Sequence, residues 1–246
     1  MHFFVALKNW LLDLIFPDFC LGCNTEGFLV CGKCRSGVKI SEKDFCPACR
    51  KESFGGFFCS SKCKTGFYFD ALVVCLPYIK EGLMKKVIVR FKYHFSKGLS
   101  EFLGEILRQK LGKFRAGLPA GFSAGGHTDY LIVPVPLHKN RLKYRGFNQS
   151  EILAKALGEP KILLERKVET SEQALLSRAE RMKNVQGAFG LNLQDLAFEN
   201  GENFSQGKIF LVDDVATTLS TLNECSKVLK TAGAKEIICI VLARGN

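Results

Sequence analysis

Apolar residues in the later part of the chain form short runs rather than long stripes. Four such runs, at 71–78, 130–137, 208–212 and 236–243, have the length and composition of buried strands. Between the last two runs, apolar side chains recur on one helical face and a glycine follows: Leu222, Cys225, Val228, Leu229, Ala232 and Gly233. A strand, a helix and a second strand in so short a stretch predict a parallel βαβ unit. The expected fold class is therefore α/β, a parallel sheet flanked by helices.

Two further segments show helical periodicity. The first predicts a helix in the main body, with apolar positions at Leu99, Phe102, Leu103, Ile106 and Phe114. The second, at 1–16, is interrupted by polar residues, is too short to span a bilayer, and lacks the basic start and cleavage site of a signal peptide. We expect an amphipathic helix packed on the body, with reversible membrane contact as an alternative. We therefore expect a cytoplasmic protein with no transmembrane segment.

The charge balance favours anionic partners. The 246 residues include 35 Lys and Arg against 24 Asp and Glu, which gives a formal net charge of +11. A surplus of this size suits nucleic acid, nucleotides, pyrophosphate or a membrane surface, and the alternative is a soluble protein with a basic face.

Eight of the eleven cysteines lie in four close pairs between positions 20 and 63. In a reducing compartment such pairs indicate tetrahedral thiolate zinc sites rather than disulfides. We expect two sites, one formed by Cys20, Cys23, Cys31 and Cys34, the other by Cys46, Cys49, Cys59 and Cys63. Interleaved pairing and a single occupied site remain open. Four thiolates leave zinc no open position, so the expected role of the metal is structural.

The stretch IFLVDDVATTLST, residues 209–221, joins a predicted buried strand to polar groups that a core does not favour. Asp213 and Asp214 are expected at the carboxyl end of that strand, where open α/β sheets bind ligands. Hydroxyl groups then cluster at the start of the next helix, on Thr217, Thr218, Ser220 and Thr221. Such a turn suits a phosphate, and paired carboxylates suit sugar hydroxyls. The pattern predicts a ribose-phosphate site, with an ordinary N-cap cluster as the alternative.

These residues resemble known families. LVDDVATTLST resembles the phosphoribosyl-pyrophosphate (PRPP) signature of type I phosphoribosyltransferases. Together with the paired cysteines, three further stretches resemble the ComF family of competence-associated proteins: VPVPLHKNRLKYRGFNQSEILA at 133–154, TSEQALLSRAERMKNVQGAF at 170–189 and LAR at 242–244. The resemblance implies an N-terminal helix and double zinc ribbon at 1–66, then a type I phosphoribosyltransferase-like domain at 67–246. It also implies a link to DNA uptake or nucleotide metabolism.

The resemblance assigns roles to individual residues. Asp213 and Asp214 would bind the ribose hydroxyls at the catalytic centre. The 5′-phosphate, or that of another ribose-phosphate ligand, would lie against the loop formed by Val215, Ala216, Thr217, Thr218, Leu219, Ser220 and Thr221. The pyrophosphate of PRPP would be contacted by Arg141, Arg145, Arg178 and Arg181. Mg²⁺ would accompany it, held largely by pyrophosphate oxygens.

The implied reaction is displacement of pyrophosphate from C1 of the ribose, in which positive groups stabilise the departing charge. An unidentified acceptor would lie under a hood formed by the basic region 80–97. One position departs from the superfamily pattern, because Leu219 stands where glycine is usual. A leucine in a left-handed conformation costs roughly 1–2 kcal/mol, which leads to the hypothesis of a retained but weakened phosphate site.

The sequence also fits a second, different function. Between residues 80 and 115 there are ten Lys and Arg against three Asp and Glu, interleaved with Phe91, Tyr93, His94 and Phe95. Basic groups follow phosphates and aromatic rings stack on bases, so this region also fits a non-catalytic module that handles single-stranded DNA beside other DNA-uptake proteins. A zinc-headed protein–protein adaptor is a third option.

Overall fold

The computed structural model describes residues 18–77, 81–117, 130–169, 185–192 and 207–245. The predicted N-terminal helix at 1–16 lies outside these ranges. The elements in chain order are α1 (Gly32–Ser36), a 3₁₀ turn (Phe54–Gly56), α2 (Ser61–Lys64), β1 (Ala71–Val74), α3 (Leu83–Tyr93), α4 (Lys97–Gly117), β2 (Tyr130–Pro134), α5 (Lys139–Arg145), α6 (Gln149–Lys155), β3 (Leu164–Arg166), β4 (Phe189–Leu191), β5 (Lys208–Ala216), α7 (Ser220–Thr231) and β6 (Glu236–Arg244).

A parallel sheet organises the main body. Its strands lie in the order β1, β6, β5, β2, and each neighbouring pair is parallel. β5, α7 and β6 form the predicted βαβ unit, with Ile209 opposite Ile237 and Val212 opposite Ile240. β3 and β4 form a separate antiparallel pair. The predicted α/β class, a parallel sheet flanked by helices and preceded by a cysteine-rich head (residues 20–63), is confirmed.

The central strand β6 is apolar throughout because both of its faces are covered. Ile238, Ile240 and Leu242 pack in a core cluster that includes side chains of α3 and α4. The alternate residues Ile237, Cys239 and Val241 pack in a second cluster that includes side chains of α7. Successive strand residues point to opposite faces, so a strand buried on both sides reads as one continuous hydrophobic run.

The helix predicted from the apolar residues between Leu99 and Phe114 is α4, and all five predicted positions are buried in it. α3 precedes it and buries Phe91 completely. Phe91 was therefore wrongly grouped with the aromatic residues that could stack on bases. Among the described helices, none has the length and apolar character that a membrane span requires.

The cysteine-rich head lies against the outer strand β1. Phe57 forms an antiparallel bridge with Ala71, and the 3₁₀ turn just before it approaches the strand closely. Gly56 has φ +72°, and a Cβ atom there would lie 2.1 Å from the carbonyl oxygen of Leu72. Only glycine combines this conformation with so close a backbone approach, so the head is closely fitted to the edge of the sheet.

A buried ion pair joins the head to α4. The Lys110 Nζ atom lies 2.8 Å from Oδ1 of Asp44 and donates a hydrogen bond to the carbonyl oxygen of Ser41 at 2.9 Å. Lys110 is only 2% exposed, and burial raises the pKa of Asp44 despite the neighbouring ammonium group. Removing one partner of such a pair leaves the other charge buried and uncompensated.

We therefore expect Lys110→Met to lower the free energy of unfolding by about 3–5 kcal/mol. The matched control is Lys43→Met. Lys43 pairs with Glu52 at 2.7 Å, but both side chains are more than half exposed, so the loss should stay below about 1 kcal/mol. Urea unfolding of both zinc-loaded variants measures the difference. Equal losses would show that the pair between the head and α4 does not help to hold the fold.

Candidate functional site

One cavity, of about 240 Å³, lies at the carboxyl ends of β2 and β5. Its lining includes every predicted ligand-binding residue within the described ranges: Arg141, Arg145, Asp213, Asp214, Val215, Ala216, Thr217, Thr218, Leu219, Ser220 and Thr221. Arg178 and Arg181 lie outside the described residues. Residues from two separate segments, 141–145 and 213–221, therefore meet where open α/β sheets bind ligands.

The two carboxylates are compensated by groups from two helices. Asp213 Oδ1 accepts a hydrogen bond from the Ser150 hydroxyl on α6 at 2.8 Å, and Asp214 Oδ2 lies 3.3 Å from Nζ of Lys92 on α3. Burial, and then the charge of Asp214, raise the pKa of Asp213 to about 7. Near neutral pH, Asp213 is therefore protonated part of the time, which lessens repulsion between this pair and an anion in the same cavity.

The strand that presents these acids is longer than the sequence predicts. The predicted run ends at residue 212, whereas β5 continues through both aspartates to Ala216. The ladder is maintained because β6 also continues, pairing Asp213 with Val241 and Ala216 with Arg244. The acids therefore belong to the rigid end of the sheet, and the hydroxyl-rich residues form the turn that follows.

The turn from β5 to α7 has an uncommon backbone. Leu219, immediately before the helix, has φ +67° and ψ 0°, the left-handed conformation that favours glycine. Its side chain is only 4% exposed and packs in the apolar cluster beneath the loop. The hydroxyls of Thr218 and Ser220 lie 2.8 Å apart, beside the N-terminal end of a 12-residue helix. The loop thus combines hydroxyl groups with the positive end of a helix dipole.

Three arginine side chains form part of the cavity wall. Arg141 and Arg145 come from α5, and Gly146, with φ +79°, ends that helix. Arg166, at the end of β3, also lines the cavity. Its pKa is lowered first by burial and then by the positive charge of Arg141. Two guanidinium groups that repel each other in one cavity form a strongly anion-attracting wall.

Lys92, Ser150 and Arg166 are among the lining residues for which no individual site role was predicted. Ser150 lies inside the quoted stretch 133–154 and Lys92 lies inside the basic region 80–97, so both segments were identified but not the side chains. Arg166 ends a short strand among charged residues, and the local sequence offers no signal for its site role.

The eight paired cysteines form two clusters, in the predicted grouping. Within each cluster the four Sγ atoms lie within 4.8 Å of one another. A tetrahedral zinc ion with Zn–S distances of about 2.3 Å needs sulfur atoms about 3.8 Å apart, so both clusters fit that ion. The backbone N–H of Cys31 donates to Cys20 Sγ at 3.3 Å. This bond, together with hydrogen bonds from the backbone of Cys23 and Gly22, lowers the pKa of Cys20 to about 6, which favours the thiolate that zinc requires.

The two clusters begin with the same local structure. Cys20–Cys23 and Cys46–Cys49 each form a knuckle followed by a residue at φ +63°, Asn24 in the first and Arg50 in the second. Each of these residues donates its backbone N–H to the carbonyl oxygen of the first cysteine, at 2.8 and 3.0 Å. The head is thus built from two equivalent knuckles.

Comparison with known proteins agrees with this architecture. Residues 11–65 match the family model described as a double zinc ribbon domain, and residues 143–246 match that described as a phosphoribosyl transferase domain. Competence protein F of Haemophilus influenzae is 28% identical over 238 residues, covering 87% of this chain and 96% of that protein. Competence protein ComFC of Streptococcus pneumoniae is 29% identical over 245 residues and 94% of each chain. The chain is a homologue of the ComF/ComFC competence proteins.

A further relative of this ComF/ComFC homologue has a different description. DNA utilization protein YhgH of Escherichia coli is 26% identical over 243 residues, covering 94% of this chain and 99% of that protein. The double zinc ribbon match and the two four-cysteine clusters together support structural zinc. The division between residues 66 and 67 stays a prediction, because the two family models leave residues 66–142 between them.

The left-handed conformation of Leu219 predicts an unusual order of stability for its alanine and glycine variants. We expect Leu219→Ala and Leu219→Gly both to destabilise the homologue, because a buried leucine is lost. The glycine variant should nevertheless be the more stable of the two by about 1 kcal/mol, because it relieves the left-handed strain. Urea unfolding of the zinc-loaded variants measures both differences.

Leu222 supplies the control, since it is 1% exposed and lies within the regular part of α7. There the order should reverse, with alanine more stable than glycine by about 1 kcal/mol. The same order at both positions would mean that the Leu219 backbone carries no strain.

Proposed function

We propose that this ComF/ComFC homologue binds the ribose 5-phosphate part of PRPP, or a related ribose-phosphate, in the cavity at the carboxyl ends of β2 and β5. The sugar hydroxyls bind Asp213 and Asp214, and the 5′-phosphate binds the loop from Val215 to Thr221. The observation that carries the proposal is that the two acids and the hydroxyl-rich turn line a single cavity of about 240 Å³. The phosphoribosyl transferase match at 143–246 includes all of these residues.

The arginine side chains of the cavity suit the leaving group of the proposed reaction. Arg141, Arg145 and Arg166 line the cavity together, and their positive charge suits the pyrophosphate that leaves C1 of the ribose during phosphoribosyl transfer. Arg178 and Arg181 remain predicted contacts to the same group. Mg²⁺ would be brought with the pyrophosphate and held largely by its oxygens, and Asp213 and Asp214 offer oxygen donors of the kind it prefers.

The relatives support a biological process for this function, and the cysteines support a compartment. Competence protein F and ComFC are named for competence, and YhgH for DNA utilization, so we extend the proposal to a step linked to DNA uptake. Four-thiolate zinc sites are stable in reducing compartments, which supports the cytoplasm as the place of action.

The sugar and phosphate halves of the site can be tested separately by titration calorimetry with ribose 5-phosphate and with inorganic phosphate. Joint Asp213→Asn and Asp214→Asn substitution should weaken ribose 5-phosphate binding at least about tenfold, because charge-assisted hydrogen bonds to the sugar are lost. Phosphate binding should not weaken, because the same substitutions remove negative charge from the cavity. Joint Thr218→Val and Ser220→Ala substitution should weaken the binding of both ligands.

Glu159→Gln removes one exposed acid from the connection after α6 and controls for a change in net charge. Failure of the wild-type protein to bind ribose 5-phosphate would contradict the proposal. So would equal weakening of both ligands by the two aspartate substitutions.

A second candidate function has its own observation. Tyr93 and Phe95 are 51% and 60% exposed, Tyr93 lines the cavity mouth, and the Arg145 guanidinium lies 5.3 Å from the centre of the Tyr93 ring. On neighbouring α5, Tyr144 is 85% exposed between two basic residues. Exposed rings among positive charges form a surface on which a single-stranded nucleic acid can stack.

If this surface binds single strands, Tyr93→Ala with Phe95→Ala should weaken binding of a labelled oligothymidylate by about ten- to a hundredfold. Fluorescence anisotropy at two salt concentrations measures the affinity and its salt dependence. Phe28→Ala is the control, because Phe28 is as exposed as Phe95 but lies in the head. Joint Asp213→Asn and Asp214→Asn substitution should leave this binding intact. Equal effects of the Phe28 and Tyr93/Phe95 substitutions would refute a specific surface.

A further inference from the structure

The end of β6 contacts the second knuckle of the head. Arg244, the last residue of the LAR stretch, donates through Nη2 to the carbonyl oxygen of Pro47 at 2.6 Å. In the opposite direction, Arg50 donates through Nη2 to the carbonyl oxygen of Gly245 at 3.1 Å. Two guanidinium groups, one from each side, therefore connect residues 47–50 with residues 244–245.

The same end of β6 contacts the loop that lines the cavity. Arg244 pairs with Ala216 in the ladder of β5 and β6, and the backbone N–H of Gly245 donates to the carbonyl oxygen of Ala216 at 2.7 Å. A Cβ atom on Gly245 would lie 3.1 Å from Cγ2 of Thr217, so the backbone of Gly245 is also close to the first hydroxyl residue. Arg244 and Gly245 therefore contact both the knuckle and the cavity loop.

The position of Arg50 is set by the knuckle itself. It follows Cys49 directly, its backbone N–H donates to the carbonyl oxygen of Cys46, and its φ of +63° directs the chain out of the turn. Asn24 has the equivalent place and the same φ in the first knuckle, but its shorter side chain lacks a guanidinium fork. The second knuckle therefore differs from the first in carrying a long charged donor at this position.

We propose that Arg50 and Arg244 are positioning residues, which hold the end of β6 against the second knuckle and thereby fix the ligand-binding loop at 216–221. Ordering of the second four-cysteine cluster is then transmitted to the loop through Gly245 and Ala216. The role of this loop in binding rests on the proposed function, whereas the contact between knuckle and loop does not.

The physical basis is local restraint. A hydrogen bond from a charged donor is stronger than one between neutral groups, and two such bonds act on the adjacent residues Arg244 and Gly245 at the end of β6. The exposed Arg50 bond is screened by water, so its loss should loosen the loop without unfolding the protein. A loop that must be ordered on binding pays that conformational cost in affinity.

The test compares Arg50→Met with Lys51→Met in the full chain loaded with zinc. Methionine keeps most of the length of arginine but removes its donors, and the neighbouring Lys51 variant removes the same charge from an exposed position. Hydrogen exchange of the backbone N–H groups at 216–221 should become about tenfold faster in Arg50→Met and stay at the wild-type rate in Lys51→Met. Zinc content and the thermal midpoint should be the same in all three proteins.

Ribose 5-phosphate affinity, measured by calorimetry, should fall about three- to tenfold in Arg50→Met alone. Unchanged loop exchange in Arg50→Met would overturn the inference, whatever the affinity does. Faster exchange together with a wild-type protein that does not bind ribose 5-phosphate would instead support the restraint and refute the proposed ligand. The two proposals can therefore fail independently.

Discussion

The arrangement of the main body depends on the need to compensate two neighbouring carboxylates at the end of a buried strand. Asp213 and Asp214 lie in β5, between strands that are apolar on both faces, and leaving them without partners would cost several kcal/mol each. Their partners come from helices on either side of β2 in the chain, Ser150 on α6 and Lys92 on α3. Compensation of the acids therefore also brings together the walls of the cavity.

Much of this could be read from the sequence, because the signals involved are local. The βαβ unit at the C-terminal end follows from two apolar runs and one amphipathic face within 208–243. The close cysteine pairs follow from ligand spacing, since paired thiolates need neighbouring positions, whereas the choice of which two pairs share a site is decided by the fold. The acids and hydroxyls of the cavity stand within nine residues of one another, from Asp213 to Thr221, so one stretch of sequence was sufficient to predict them together.

The features that sequence reasoning missed depend on packing between distant segments. Ser150 reaches Asp213 across 63 positions, and nothing in the sequence around Ser150 indicates that contact. Lys92 and Phe91 are adjacent in a basic and aromatic region, yet Lys92 turns towards Asp214 while Phe91 is fully buried. The rotation of the helix about its axis determines which of the two side chains faces the core. A region with so many charged residues does not show that rotation in its sequence pattern. β5 extends past its apolar run because β6 continues to pair with it, which a single-strand pattern cannot show.

The covering of β1 by the head has a consequence for the solution behaviour of the chain. Among the strands that the structure describes, β1 is the outer one on its side of the sheet, and the backbone of Phe57 pairs with part of its outer edge. An uncovered edge strand offers unpaired N–H and C=O groups to another copy of the same strand. A chain whose head is unfolded therefore exposes a template for self-association, so that folding of the small cysteine-rich segment protects the much larger sheet from aggregation.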